Sequence, residues 1–290
     1  MPESWSAPAP AKVNLVLEVT GRRPDGYHEV DTVVQTLELN DTVTLSFDGG
    51  PKVTAAGPYA PATPCDETNL AWRAAAAIAR LTGNSLDGLS IALDKRIPPA
   101  GGLGGGASDA ATTLRLLERA WENVTPSSLA AAAEAVGSDE PALLLGGTVR
   151  ARGRGERVTP LAHLHRHGVV LLIPRDTLER KTARLFAALD ALPFDNGSVS
   201  EAFAAREPHR LSSADVYNAF ERVAFDVFPG LAALWEQAEH ATGEPIRLAG
   251  AGPALFWIGE ERRAAEVAAR ARALDCDVVA TATAGSLWRR

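Results

Sequence analysis

Residues 98–111 read PPAGGLGGGASDAA, with five glycines in the six positions 101–106 and a helix-like pattern immediately after them. Fixing a glycine costs backbone entropy, about 0.5–1 kcal/mol relative to alanine inside a regular element. So dense a cluster at a helix start implies that something lies against the backbone there. Successive amides of such a loop can form an anion-binding concavity, and the following helix adds unpaired N–H groups and the positive end of its dipole. A phosphate loop is one reading, and a run of small residues that lets a helix pack closely is the other. A Walker-type loop is excluded, because the Gly-Lys-Ser/Thr ending that supplies a lysine and a magnesium-binding hydroxyl is missing. Gly102-x-Gly104-x-x-Ala107 matches the spelling of a dinucleotide fingerprint. Against it, two prolines separate the match from the preceding strand, and no acidic residue ends a strand about 20 residues on. Ser108 and Asp109 are placed in the first helical turn, where capping and a metal contact are both open. Beyond them Ala107, Ala110, Ala111, Leu114, Leu117 and Trp121 fall on one helical stripe.

Working outward, LSIALDK (89–95) reads as a strand and the alanine-rich stretch 69–81 as a helix. Near the start, KVNLVLEVT (12–20) alternates in period two. Val13, Leu15, Leu17 and Val19 share one face, and Lys12, Asn14, Val16 and Glu18 share the other. PDG at 24–26 marks a turn, followed by two β segments, HEVDTVVQTLEL (28–39) and TVTLSF (42–47), on either side of Asn40-Asp41. Another helix ends near Val136-Gly137, and LLLGGTVRARG (143–153) reads as a β segment whose arginines form a solvated face. From HGVVLLIP (167–174) the pattern restarts: strand, helices, strand (PALFWIG, 253–259), helix (262–273) and strand (CDVVATAT, 276–283). These elements predict an α+β fold with two lobes, 1–160 and 161–290. The first holds a mixed sheet with helices, and the second holds helices packed on a small antiparallel sheet.

The chain has 290 residues, 46% hydrophobic and 22% charged, a size at which one core usually begins to divide. Its net charge of −7 argues against a surface for nucleic acid or anionic lipid, since affinity for either rests on basic charge. Lysine occurs only at positions 12, 52, 95 and 181 among 29 basic residues, so a lysine inside a motif is the more informative cation. Cys65 and Cys276 have no metal-ligand spacing and give no disulfide framework. No stretch reaches the ~20 apolar residues of a membrane span. A soluble cytoplasmic protein acting on a small molecule is expected, with no nucleic-acid or membrane partner. No oligomeric state is prescribed.

The glycine stretch resembles the phosphate loop of the GHMP kinases, the superfamily of galactokinase, homoserine kinase and mevalonate kinase. PAKVNLVLEVTGRRPDGYHEVDTVVQ (10–35), ETNLAWRAA (67–75) and GSDEPALLLGGTVRARGRGE (137–156) are similar to one branch of it. LAGAGPALF (248–256) resembles the third glycine motif, so the likeness covers most of the chain. It implies transfer of the γ-phosphoryl group of ATP, with Mg²⁺, to the tertiary hydroxyl of a cytidine-diphosphate-linked methylerythritol in the non-mevalonate route to isoprenoids.

The resemblance also assigns roles. Asp139 handles the proton and touches the acceptor, Lys12 supplies charge beside it, and Asn14 hydrogen-bonds the acceptor. Tyr27 and His28 recognise cytosine by stacking and hydrogen bonding. Asn69 and Lys95 contact ATP near the adenosine. Pro99, Gly101, Gly102, Gly104, Gly105, Gly106 and Ser108 hold the nucleotide, and Gly250 and Gly252 meet the acceptor through their backbone. The resemblance names no metal ligand. Taken without it, Ser-Asp-Glu-Pro is a turn or cap with Glu140 at the surface, and Lys12 is a solvated edge lysine. Asn69 is then a helix cap, Lys95 a solvated strand end, and Tyr27 and His28 turn residues. The chain departs from the pattern after Asn218, where it reads Ala-Phe-Glu, and around Gly252, where Ala251 and Pro253 stand in place of serine. A second aromatic partner for cytosine, expected after Pro174, finds no match in DTLERKTARLF (176–186).

Overall fold

The computed structural model describes residues 4–99, 101–175, 178, 180–206 and 210–287. Ala100 of the glycine stretch, and Asp176, Thr177 and Glu179 of the stretch after Pro174, lie outside the described residues. The first sheet is built on a long antiparallel hairpin, β1 (Ser4–Arg22) and β2 (His28–Phe47), closed by the Asp25-Gly26 turn. β3 (Val53–Ala56), β4 (Leu89–Asp94), β5 (Thr148–Gly153) and β6 (Arg157–Pro160) extend it. β2 pairs with β5 along its first half and with β4 along its second.

β7 (His167–Ile173), β9 (Arg247–Leu248), β10 (Leu255–Glu260) and β11 (Asp277–Ala282) make a second, antiparallel sheet in the order β11-β7-β10-β9. The short strand β8 (Tyr217–Asn218) comes from the later half of the chain but pairs in parallel with β1, at Val16 and Leu17. The expected α+β class holds, with a mixed sheet and a small antiparallel one.

Four helices cover the first sheet: α1 (Leu70–Thr82), α2 (Gly105–Ala120), α3 (Pro126–Val136) and α4 (Glu140–Leu145). The apolar stripe of α2 from Ala107 to Leu117 packs with Trp72, Ile78, Ile91 and Leu129, and Trp121, one residue beyond the helix, lies at the rim of this core. Losing the fully buried Leu114 side chain to alanine would cost about 2–5 kcal/mol. In the second half, α5 (Lys181–Leu189), α6 (Ser198–Ala204), α7 (Ala224–Val227), α8 (Leu231–Thr242) and α9 (Ala264–Ala271) follow. Leu185, Phe220, Trp235, Leu248 and Trp257 centre their core. A third core joins the sheets, with Val13, Leu15 and Leu37 against Leu171, Phe256 and Ile258.

Two sequence expectations are corrected. The segments 28–39 and 42–47 are one strand. Asn40 and Asp41 stay paired with Pro10 and Ala9, and the Asp41 carboxylate accepts the N–H groups of Arg96 (2.5 Å) and Ile97 (2.8 Å) instead of making a turn. The period-two alternation of β1 is also broken. A bulge between Asn14 and Val16 adds a residue. Val13 and Leu15 therefore share a core with Val16, while Leu17 and Val19 pack in the other core. The bulge brings Leu17 to the cavity that Lys12 and Asn14 line.

Candidate active site

The glycine loop runs from β4 to α2 and walls a cavity of about 390 Å³. Asn69, Lys95, Pro99, Gly101, Gly102, Gly104, Gly105 and Gly106 all line it, together with Tyr59, Thr68 and Asp109. Two of the glycines are required by geometry. Gly102 has φ +83°, and a Cβ there would run into the Ala249 carbonyl. Gly104 is the N-cap of α2 with φ +73°, and a Cβ would stand 2.9 Å from Cγ of Lys12. The N–H groups of Gly105, Gly106 and Ala107, the first three helical residues, have no intrahelical acceptor, and all three residues line the cavity. This is the donor set a phosphate needs.

Ser108 and Asp109 do not occupy the first turn. With Gly104 as cap they sit at the fourth and fifth helical positions, and neither caps the helix. Ser108 is buried outside the cavity wall, and its hydroxyl has no hydrogen-bond partner. Asp109 reaches the cavity. Its Oδ2 bonds to Lys95, which also bonds to Asp41, and its Oδ1 is unpartnered. Lys95 is thus a buried ion-pair lysine and not a solvated strand end. Burial pushes the Asp109 carboxyl up, Lys95 opposes this, and Asp41 reinforces it. Asn69 caps α1 by accepting from Ala71 N–H while its amide donates to the Pro64 carbonyl, so capping and cavity lining coincide in one side chain.

On the other side of the loop is a second cavity of about 450 Å³, lined by Lys12, Asn14, Tyr27, His28, Asp139 and Gly250, among others. Gly102, Gly104, Leu70 and Ala107 belong to both walls, so the two cavities meet across the loop. Lys12 Nζ lies 3.4 Å from Asp139 Oδ2, and their side chains are 6% and 45% exposed. Lys12 also donates to Asn14 Oδ1 (2.8 Å), and the Asn14 amide donates to Thr32 Oγ1 (2.8 Å). Asp139 stands at the N-cap position of α4, yet its carboxylate makes no cap hydrogen bond and is open to the cavity. Gly250 and Gly252 lie on the loop after β9. The Asn218 amide holds that loop by donating to the carbonyls of Leu248 and Gly250. Gly250 lies against Lys12 and Asn14, and Gly252 faces away, toward Leu248 and Phe228.

At the far end, Tyr27 is half exposed, with the Arg154 guanidinium 5.2 Å from its ring centre. His28 lies deeper. Its ring stacks on Phe186 with centroids 4.3 Å apart and planes 12° from parallel, and its Nε2 is 2.6 Å from Asp190 Oδ1. Phe186, on α5, lines the same cavity and is braced by Phe220. It is an aromatic that the sequence reading could not assign, although it closes the stretch 176–186. The available signal was α5 itself, which puts Leu185 and Leu189 in the core with Phe186 packed against them.

Two further expectations change. Glu140 is not a surface residue but 3% exposed. Its carboxylate folds onto the amides at the start of α4. Burial pushes its carboxyl up to about 7, the backbone amides oppose this, and Asp139 adds to it. Arg150 is not solvated either. It makes a two-point contact with Asp31 (2.8 and 2.7 Å), diagonally across the β2–β5 pairing, and reaches Glu201. Arg152 is the exposed arginine of that strand.

Residues 69–147 match the family model described as the GHMP kinases N terminal domain. A 4-diphosphocytidyl-2-C-methyl-D-erythritol kinase of Dehalococcoides mccartyi is 38% identical over 261 residues, 89% of this chain and 90% of the relative. The enzyme of that name from Bacillus subtilis is 35% identical over 254 residues, 86% of each chain. A crystal structure of a 4-(cytidine 5′-diphospho)-2C-methyl-D-erythritol kinase superposes with a TM-score of 0.75 at 33% identity, covering 97% of this chain and all of the other.

Proposed function

The chain belongs to the 4-diphosphocytidyl-2-C-methyl-D-erythritol kinases, and from that premise we propose how its residues carry out their reaction. The reaction is transfer of the γ-phosphoryl group of ATP to the 2-hydroxyl of 4-diphosphocytidyl-2-C-methyl-D-erythritol, in the non-mevalonate route to isoprenoid precursors. The observation that carries the assignment of roles is the meeting of two cavities at Gly102 and Gly104, with Lys12 and Asp139 on the second side.

ATP occupies the first cavity, its phosphates on the amides of residues 105–107 and its adenosine toward Asn69 and Lys95. The acceptor occupies the second, its cytosine between Tyr27 and Phe186 and beside His28, and its alcohol at Asp139. The acceptor oxygen forms a bond to the γ-phosphorus as the bond to the β-phosphate oxygen breaks, leaving ADP. An alcohol is far less acidic than a carboxylic acid. Asp139 therefore orients the hydroxyl and takes its proton as the new bond forms, without holding a free alkoxide. Lys12, 3.4 Å from Asp139, steadies negative charge on the oxygen, and Asn14 keeps Lys12 in place.

Mg²⁺ accompanies the triphosphate in this proposal. The unpartnered Oδ1 of Asp109, on the wall of the first cavity, is a hard oxygen donor that would suit it, whereas the Ser108 hydroxyl lies outside that wall. The ion would neutralise phosphate charge. We also propose lobes of 1–160 and 161–290, supported by the change of sheet between β6 and β7, and a cytoplasmic enzyme. Unpaired Cys65 and Cys276 agree with a reducing compartment, and among the described residues no helix is long and apolar enough to cross a membrane.

The test is a panel of acceptors. Purified protein with ATP and Mg²⁺ is expected to phosphorylate 4-diphosphocytidyl-2-C-methyl-D-erythritol far faster than homoserine, mevalonate or galactose. Preference for one of the others would overturn the acceptor. Tight ATP binding without transfer to any acceptor would overturn the enzyme.

A further inference from the structure

Arginine supplies most of the positive charge of this chain, yet three of its four lysines line the two cavities: Lys95 the first, Lys12 and Lys181 the second. Lys12 is paired with Asp139, and Lys95 with Asp41 and Asp109. Lys181, at the first position of α5, has no carboxylate partner among the described residues, and its one described hydrogen bond goes to the Gly252 carbonyl. An ammonium group has three donors, and a largely buried one is costly to hold unless an anion joins it.

We propose that Lys181 is a phosphate-binding cation of the second cavity, engaging a phosphate oxygen of bound substrate between the aromatic end and the Lys12–Asp139 pair. The proposal rests on the reading of that cavity as the acceptor site. Five residues further along α5, Phe186 stacks on His28, so the helix that carries the cation also carries one wall of the base subsite. In the other direction Lys181 interacts electrostatically with Lys12 and Asp139. An acceptor made of a base, a diphosphate and an alcohol that spans these two ends carries its diphosphate past this ammonium. The transferred phosphoryl group is the other phosphate that reaches the cavity. A lysine suits the task because its compact charge on a flexible stem can exchange the neutral Gly252 carbonyl for an anion.

Burial lowers the Lys181 ammonium to about 8, Lys12 adds to this, and Asp139 opposes it. The other charged and titratable groups facing the cavity are Tyr27 and His28 before and at the start of β2, Glu140 on α4 and Arg154 after β5. The free protein thus carries the charge at pH 7 and loses it above about pH 8, whereas a bound phosphate retains it.

The experiment compares wild type, Lys181→Gln and Lys181→Arg, all full-length, in equilibrium binding of CDP and of cytidine and in steady-state kinetics. Glutamine keeps a donor for the Gly252 carbonyl and removes the charge, and arginine keeps the charge. Losing a charge-assisted contact is expected to weaken CDP binding by about tenfold or more in Lys181→Gln, with cytidine changed by less than about twofold. Lys181→Arg should retain most of the preference for CDP. That pattern assigns the acceptor diphosphate. An unchanged CDP affinity, with kcat lowered about tenfold or more and KM values held, assigns the transferred phosphoryl group. In either case kcat/KM of wild type falls above about pH 8 and this limb is absent in Lys181→Gln.

Wild type alone gives an independent reading, since its preference for CDP over cytidine should decline above the same pH. A Lys181→Gln protein that binds CDP and turns over like wild type overturns the proposal and leaves Lys181 a clamp on the Gly252 loop. Equal loss of CDP and cytidine overturns it as well. Wild type that binds neither cytidine nor CDP overturns the acceptor-site reading beneath it.

Discussion

The backbone N–H of Lys12 donates to the carbonyl of Leu103 at 2.9 Å, so the strand that carries the cavity's central lysine is pinned to the loop proposed to hold the nucleotide. Gly104, next to Leu103, leaves the space that the Lys12 stem fills. The two cavities are therefore held in register through one short stretch of backbone, as the proposed in-line transfer between them would require.

Asp139 reaches the cavity from a partly exposed position and makes no cap bond, so its removal should spare the fold. Asp139→Asn is expected to lower kcat by at least about two powers of ten, the lower end of general acid–base effects. ATP affinity, measured by calorimetry with a non-hydrolysable analogue, should stay close to wild type. Near-normal turnover would remove Asp139 from the mechanism.

Gly104→Val places a branched side chain at φ +73° against the Lys12 stem. Both ATP affinity and turnover should fall, each by about tenfold or more, because the phosphate cradle and the lysine are displaced together. Cytidine binding, at the far end of the other cavity, should persist. Its loss to the same degree would point to a misfolded protein.

Phe186→Ala should weaken cytidine binding and lower kcat/KM for the acceptor by on the order of 1–3 kcal/mol, the usual worth of base–aromatic stacking, with ATP affinity unchanged. Tyr27→Ala should behave similarly. His28→Ala is expected to cost on the order of 1–3 kcal/mol in the same quantity. Part of that loss is indirect, because the ring also supports Phe186 and engages Asp190. Full acceptor binding in Phe186→Ala would move the base elsewhere.

Glu140 carries a pH signature in stability. Its carboxyl titrates near 7 in the folded protein because it is buried, against 4.5 ordinarily, so between these values the folded state holds a proton that the unfolded state has released. The contribution is present in full below about pH 4.5 and is lost as the pH rises through about 7. Glu140→Gln should therefore gain stability over wild type between pH 5 and pH 8, by up to about 3 kcal/mol, in denaturant unfolding. Parallel unfolding curves at both pH values for the two proteins would show that Glu140 is not buried as a titrating acid.

Much of the candidate site was reached through a resemblance carried by short local motifs. The glycine loop stands out by its composition, whereas the Lys12–Asn14 face and Gly-Ser-Asp-Glu-Pro owe their proposed roles to the resemblance, because spacing alone reads them as a solvated strand edge and a turn or cap. Phe186 could not, since a phenylalanine on an amphipathic helix looks the same whether it fills a core or lines a cavity. Lys181 is equally silent, because what distinguishes it, the lack of a carboxylate partner among the described residues, is a property of its surroundings.

Alternation and turn chemistry determined the strands, the helix after the glycines and the α+β class, since each is encoded by neighbours in the chain. The unbroken course of β2 through Asn40-Asp41 was decided by pairing with β1. The phase of β1 beyond Asn14 was decided by a bulge. The burial of Glu140, of Lys95 between Asp41 and Asp109, and of Arg150 on Asp31 was decided by which elements pack together. A sequence fixes the chemistry of a side chain, but its exposure, its charge state and its partners depend on residues tens to hundreds of positions away, which only the folded chain brings into contact.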